Sequence, residues 1–196
     1  TDGTAAIAES FDFVRLLREP RQGVIHARAS GFDAARGDII ARIDADSILP
    51  ANWLESVEAV FADDRIDAVS GVAQYYNVAM APVFNAIDLF FRRRLSWQLK
   101  DRVYLWGANM AMRRSAWQLV KPHLCDKSGI HEDYDIAIHL QEQGGAVAFD
   151  ERLRAAVSSR RIDVGYVDFM RYVMVSPQTY AKHGVREHWH MYWIVL

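Results

Sequence analysis

The sequence predicts an α/β fold, a mostly parallel sheet with helices on both faces. Three observations predict it. Helix-like and strand-like stretches alternate over residues 4–76, the pattern that builds a parallel sheet layered by helices. Asp38-Ile39-Ile40-Ala41-Arg42-Ile43-Asp44 is apolar along most of its length, as a buried strand is. Trp53, Leu54, Val57, Val60 and Phe61 recur at helical spacing and give one apolar stripe.

Taken in order, residues 4–11 read as a short helix with Asp2 or Thr4 as its N-cap. Residues 13–17 read as a strand. Residues 23–35 read as a helix with Val24, Ala27, Gly31 and Ala34 on one face. The strand over 38–44 follows, then a helix over 51–61 behind Pro50 and a longer strand over 66–76.

The second half alternates less regularly. Residues 82–99 read as a long aromatic helix ending in Arg92-Arg93-Arg94, a solvated helix end or a contact for an anionic or lipid-linked molecule. A short strand is expected over 103–106, then the small-residue segment 107–113 and a helix over 115–120. A further helix over 132–143 stops at Gly144-Gly145. Residues 146–149 and 155–158 read as two short strands, and 165–196 as a helical tail rich in Tyr, Trp and Met.

Composition narrows the function. With 196 residues, the chain is long enough for one domain with a sizeable core. Lys and Arg total 23 against 25 Asp and Glu, a net charge of -2, which argues against sequence-independent nucleic-acid binding. The single cysteine, Cys125, excludes an intrachain disulfide framework and a cysteine zinc site, and allows a reducing, cytosolic setting. No run approaches the roughly 18 apolar residues of a membrane span.

Three groups of residues invite chemistry. Asp44-Ala45-Asp46 closes the buried strand, and side chains two apart in extended chain point the same way, roughly 6.5 Å apart. Such a pair is either two solvated loop acids or a seat for a hard divalent ion such as Mg²⁺ or Mn²⁺. His131-Glu132-Asp133 opens a helix, where acids either complement the helix dipole or supply a general base. Gly107-Ala108-Asn109 is either a turn before a strand or a place where a ligand approaches backbone and Asn109 reaches a sugar hydroxyl. His183, His188 and His190 in the tail read as surface or interface residues or, alternatively, as a metal ligand.

In their common order these groups resemble the family 2 glycosyltransferases of the GT-A fold. Thr1-Asp2-Gly3-Thr4-Ala5 looks like the end of a D-x-S-x-D-x-T nucleotide loop. Gly23-Val24-Ile25-His26-Ala27-Arg28-Ala29-Ser30-Gly31 is similar to a G-x-x-x-A-R-N-x-G helix, with Ala29 where the family usually has Asn. Residues 37–46 are similar to the strand that ends in D-A-D, residues 107–114 to G-x-N-x-A-x-R-R, and Glu132-Asp133-Tyr134-Asp135 to E-D-x-D. The resemblance implies a GT-A-type, Rossmann-like mixed, mostly parallel sheet over residues 1–164, lacking its first strands, and a C-terminal helical extension over 165–196.

It further implies an inverting transfer of sugar from a nucleotide-diphosphate donor to a saccharide or lipid-linked acceptor hydroxyl, assisted by Mn²⁺ or Mg²⁺. Asp133 is then the catalytic base. Trp106, Gly107, Asn109 and Glu132 bind acceptor, while Asp2, Arg28, Asp44, Asp46, Arg160 and Arg161 bind donor. Asp44 and Asp46 also hold the metal. Arg28 is expected to contact the nucleotide or pair with Asp44, and Trp106 to form an apolar sugar platform. The implied location is the cytoplasm or the inner face of its membrane, with peripheral contact through the aromatic tail as one reading of 190–196. The family's first strand and base-recognising acid have no counterpart ahead of Thr1, so a non-catalytic remnant of the fold stands as the alternative.

Overall fold

The computed structural model describes residues 2–78, 80–98, 103–125, 129–160 and 166–185. They belong to two compact units, Thr1–Gly37 and Asp38–Leu196.

The first unit contains helices α1 (Thr4–Glu9) and α2 (Val24–Ala34). Ahead of α1, Asp2 Oδ1 accepts the Thr4 N–H at 3.1 Å, and hydrogen bonding from the Thr4 hydroxyl and then from this N–H lowers the Asp2 pKa. Gly23 precedes α2 with φ of 139°, a conformation open to glycine. Residues 13–17 do not form the expected strand. Phe13 and Val14 are exposed, the Val14 N–H turns back to Phe11 O, and no ladder pairs with the segment. Glu19 instead gathers this connection, accepting Arg21 Nε at 2.8 Å and the Ser30 hydroxyl from α2.

The second unit holds a sheet of β1 (Ile39–Ile43), β2 (Ala68–Tyr75), β3 (Asn109–Arg113) and β4 (Val147–Val157), in the order β1-β3-β2-β4. β3 is antiparallel to both neighbours, and β2 is parallel to β4. Strands β1, β2 and β4 therefore point one way and β3 runs against them. The sheet is mixed as expected, but it is not mostly parallel in its pairing, because β3 inserts between β1 and β2 and only β2 and β4 pair in parallel.

Helix α3 (Trp53–Phe61) lays Trp53, Val57, Val60 and Phe61 on Val69, Ala111 and Leu153. Burying each large side chain contributes about 1.5–3 kcal/mol. Alternation puts Ala68, Ser70, Met110 and Met112 on the opposite face, and all four are buried, so a second layer covers it. Helix α5 (Arg114–Val120) packs against β3, and α6 (Glu132–Glu142) against β4 and α5. Helix α7 (Tyr166–Lys182), within the expected C-terminal extension, packs on α6. There Tyr180 and Val185 bury against Tyr104 and Ile138 inside the second unit.

Three expectations change here. The 103–106 segment is not a strand, because side chains rather than a ladder take its backbone groups: Trp106 N–H donates to Ser70 Oγ at 3.1 Å, and Val103 O accepts from Gln141 at 2.8 Å. The two short strands expected over 146–158 are one strand, β4, whose register against β2 jumps between Ser70↔Phe149 and Val72↔Arg154. Finally, Arg92 is not at a solvated helix end. It lies inside α4 (Ala81–Gln98), buried, pairing with Asp88 and stacking 4.4 Å from the Trp106 ring centroid, while Arg93 pairs with Glu151 at 2.6 Å.

Candidate active site

β1 ends opposite the start of β3, with Ile43 facing Asn109, so residues 44–46 and 106–108 lie at one edge of the sheet. Beyond Asp46 the chain crosses to β4, where Ile48 bridges Ala156. Ser47 Oγ donates to Ala108 O at 3.3 Å on the way. Arg160, three residues past β4, joins the same edge. This is where the three co-directional strands end, the side on which α/β sheets bind ligands.

Arg42 organises the edge. It sits two residues before Asp44 on β1, so their side chains share a face. Its guanidinium is 10% exposed, lies 3.0 Å from Glu132 Oε1, and is 3.9 Å from Asp44 Oδ1. Burial lowers the Arg42 pKa, and the nearby carboxylates of Asp133 and Asp44 oppose that shift. Gly107 makes room for it, since a Cβ there would collide with the guanidinium.

Glu132 and Asp133 form the first turn of α6, behind an extended His131. Asp133 is buried. Its Oδ2 accepts the Gly107 N–H at 2.8 Å and its Oδ1 accepts the Tyr134 N–H at 3.0 Å. These two amides fix the position of the carboxylate at the helix N-terminus. Each oxygen keeps a second lone pair for a further donor.

Asp44 and Asp46 are partly exposed beside this cluster. Asp46 Oδ2 accepts from the Arg160 guanidinium at 2.9 Å, which raises the Arg160 pKa. Each of the two carboxylates faces an arginine, Asp44 facing Arg42 and Asp46 facing Arg160, and oxygen donors of this kind suit a hard divalent ion. Trp106 is half-buried with Arg92 over its ring, so the indole is held rigidly next to Gly107.

Asn109 does not belong to the site. Its side chain is fully buried on the α3 face of the sheet. Its Oδ1 accepts from Trp53 Nε1 at 3.0 Å, and its Nδ2 donates to Val72 O at 3.0 Å and Leu153 O at 2.8 Å. All of its hydrogen-bonding groups are used in the core, so an acceptor hydroxyl has nothing to bind there. Asp2 and Arg28 lie in the first unit. Arg161, His188 and His190 lie outside the described residues.

Arg42 carries no role in the sequence reading, though a charged residue inside an apolar strand, two positions before Asp44, was the available signal.

The profile of Glycosyl transferase family 2 matches residues 1–120, which contain the Asp44-Ala45-Asp46 edge and β3. The chain belongs to glycosyl transferase family 2. It is similar to the glycosyltransferase AglE of Haloferax volcanii, at 24% identity over 138 residues, 66% of this chain and 45% of that protein. Among solved structures it resembles a mannosyltransferase from Pyrobaculum calidifontis in complex with GDP-Man and Mn²⁺, at TM-score 0.70 and 22% identity, covering 93% of this chain and 52% of that one. It also resembles glucosyl-3-phosphoglycerate synthase from Mycobacterium tuberculosis in complex with Mn²⁺, UDP-glucose and phosphoglyceric acid, at TM-score 0.58 and 20% identity, covering 94% and 65%. These likenesses show the GT-A fold in this member of the family. The chain spans about half the length of AglE and of the Pyrobaculum enzyme. Among the described residues, no helix is long and apolar enough to cross a membrane.

Proposed function

We propose that the protein carrying this chain transfers a sugar, with inversion, from a nucleotide-diphosphate donor to an acceptor hydroxyl. The observation that carries the reading is the Arg42 cluster, which ties Asp44 of the donor side to Glu132, next to Asp133, across one sheet edge. Family membership and the nucleotide-sugars bound by the two solved relatives support it.

Asp133 takes the proton of the acceptor hydroxyl. The freed oxygen attacks the anomeric carbon, the bond from that carbon to the diphosphate oxygen breaks, and the leaving diphosphate keeps the electron pair. Glu132, held by Arg42, and the Trp106–Gly107 turn line the acceptor side. Asp44, Asp46, Arg160 and Arg161 serve the donor, and Arg160 exchanges Asp46 for diphosphate when donor enters. A divalent ion at Asp44 and Asp46, Mn²⁺ or Mg²⁺, would neutralise the charge that develops on the diphosphate. The Mn²⁺ in both solved relatives supports that pairing. A saccharide or a lipid-linked hydroxyl serves as acceptor. The exposed Val83, Ile87 and Phe90 of α4 support the lipid-linked choice and peripheral contact with the inner face of a membrane.

The test measures acceptor-dependent nucleotide release across a panel of nucleotide-sugars with Mn²⁺ or Mg²⁺, together with donor calorimetry. Asp133→Asn is expected to lose about 10²–10⁴-fold in turnover while binding donor normally. Unchanged turnover in that variant removes Asp133 as base. Absence of metal-linked donor affinity in the wild type supports the remnant reading instead.

A further inference from the structure

Four further side chains converge where α6, the end of α7 and the segment at Cys125 meet: Cys125, Asp135, His139 and His183. We propose that they form a zinc site. Cys125 follows the turn Lys121–His123, Asp135 and His139 stand one turn apart on α6, and His183 follows the end of α7.

The donor atoms are spaced as ligands of one ion. Cys125 Sγ lies 3.7 Å from His139 Nε2 and 3.5 Å from His183 Nε2. Asp135 Oδ1 lies 3.4 Å from His139 Nε2 and 2.7 Å from His183 Nε2, and all four atoms fall within 4.8 Å of one another. Bond lengths of about 2.0–2.3 Å around tetrahedral zinc put its ligand atoms about 3.3–3.7 Å apart, which three of these separations match, while the shorter Asp135–His183 contact has to open by about half an ångström to admit the ion.

The surrounding contacts aim all four donors inward. His139 Nδ1 faces Glu142 Oε2 at 2.9 Å, and His183 Nδ1 faces Thr179 O at 2.7 Å. Both partners only accept, so each Nδ1 is the donor and each Nε2 is left facing the common centre, where it can ligate an ion. Outer carboxylate and carbonyl partners of this kind orient zinc-bound histidines. Asp135 Oδ2 is anchored by the Cys125 N–H at 2.8 Å. Its Oδ1 is buried, accepts no hydrogen bond, and points at the same place. Two imidazole nitrogens, a thiolate and one carboxylate oxygen form a four-ligand set suited to zinc, and too soft for the hard ion that suits Asp44 and Asp46. With every position filled by protein, the ion is structural. It joins α6, whose first turn bears Glu132 and Asp133, to α7 and to the segment at Cys125. One cysteine suffices for this mixed site, whose ligands are scattered along the chain without a spacing motif.

The site is independent of sugar transfer, and its test needs no activity. The chain with Asp44→Asn and Asp46→Asn is stripped with chelator and reloaded with Zn²⁺ or Co²⁺. We expect one equivalent of zinc to survive dialysis and to raise the thermal midpoint. The cobalt form should show tetrahedral visible bands and thiolate-to-cobalt charge transfer. Cys125→Ser should abolish the charge-transfer band, and Glu142→Gln should weaken zinc binding by about tenfold. Less than one equivalent of zinc, or a cobalt spectrum without the thiolate band, overturns the site, and both are read on a chain whose four ligands are intact. A protonated His183 paired with Asp135 and no metal uptake is the arrangement that would then hold.

Discussion

A buried side-chain amide must satisfy a carbonyl and an amino group away from water, and Asn109 does so with three partners on three different elements. Asn109→Ala removes those bonds and strands Val72 O, Leu153 O and the Trp53 indole N–H in the core. At about 1–3 kcal/mol for each buried group left unsatisfied, a loss of about 3 kcal/mol or more is expected in urea unfolding. A variant that kept full stability and only raised the acceptor KM would return Asn109 to the acceptor site. Arg42 follows the same logic with charge. An arginine taken out of water persists only among acids, and Glu132, Asp133 and the more exposed Asp44 stand around Arg42.

At the level of elements, the irregular pairing of β2 with β4 is what makes room for Asn109. Between Phe149 and Arg154, β4 advances further than β2 does between Ser70 and Val72, which leaves carbonyls off the ladder. Gly71 lies at that point, and a Cβ there would collide with Leu153 O and the Asn109 amide. Gly71→Ala is expected to destabilise the chain by about 1–3 kcal/mol through overpacking. The loss should be smaller when measured in an Asn109→Ala background, because the two positions share a contact. Additive losses in the double-mutant cycle would show that the glycine acts elsewhere.

For the whole molecule, buried phenols tie stability to alkaline pH. Burial pushes Tyr75 up from 10.0 to about 12, and also raises Tyr104 and Tyr134 in the cluster beneath α7. A phenol whose folded pKa is raised adds stability that is complete below its unfolded value of 10.0 and lost as pH rises through about 12. Tyr75 alone makes that loss about 2–3 kcal/mol. Urea midpoints should therefore fall between pH 10 and 12, with phenolate absorbance from these tyrosines appearing only on unfolding. Tyr75→Phe should flatten the slope, and an unchanged slope would mean that Tyr75 is not protected by the fold.

The sequence by itself determined the helices and the strands that carry a clear apolar pattern, because apolar periodicity acts over a few residues. The helix stripe from Trp53 to Phe61, the strand ending at Asp44-Ala45-Asp46 and the acidic start of α6 were all legible in this way. The motif order was enough to indicate the family as well. Tertiary structure decided what only distant partners can decide. A strand needs a neighbour, so residues 13–17 and 103–106, extended by pattern, pair with none. A polar side chain takes its role from what it is buried beside. Asn109 therefore became a core residue, Arg92 left the solvent, and Arg42 became the centre of the site. For the same reason Cys125, Asp135, His139 and His183, far apart in the chain, meet at one point only after α6 and α7 pack together.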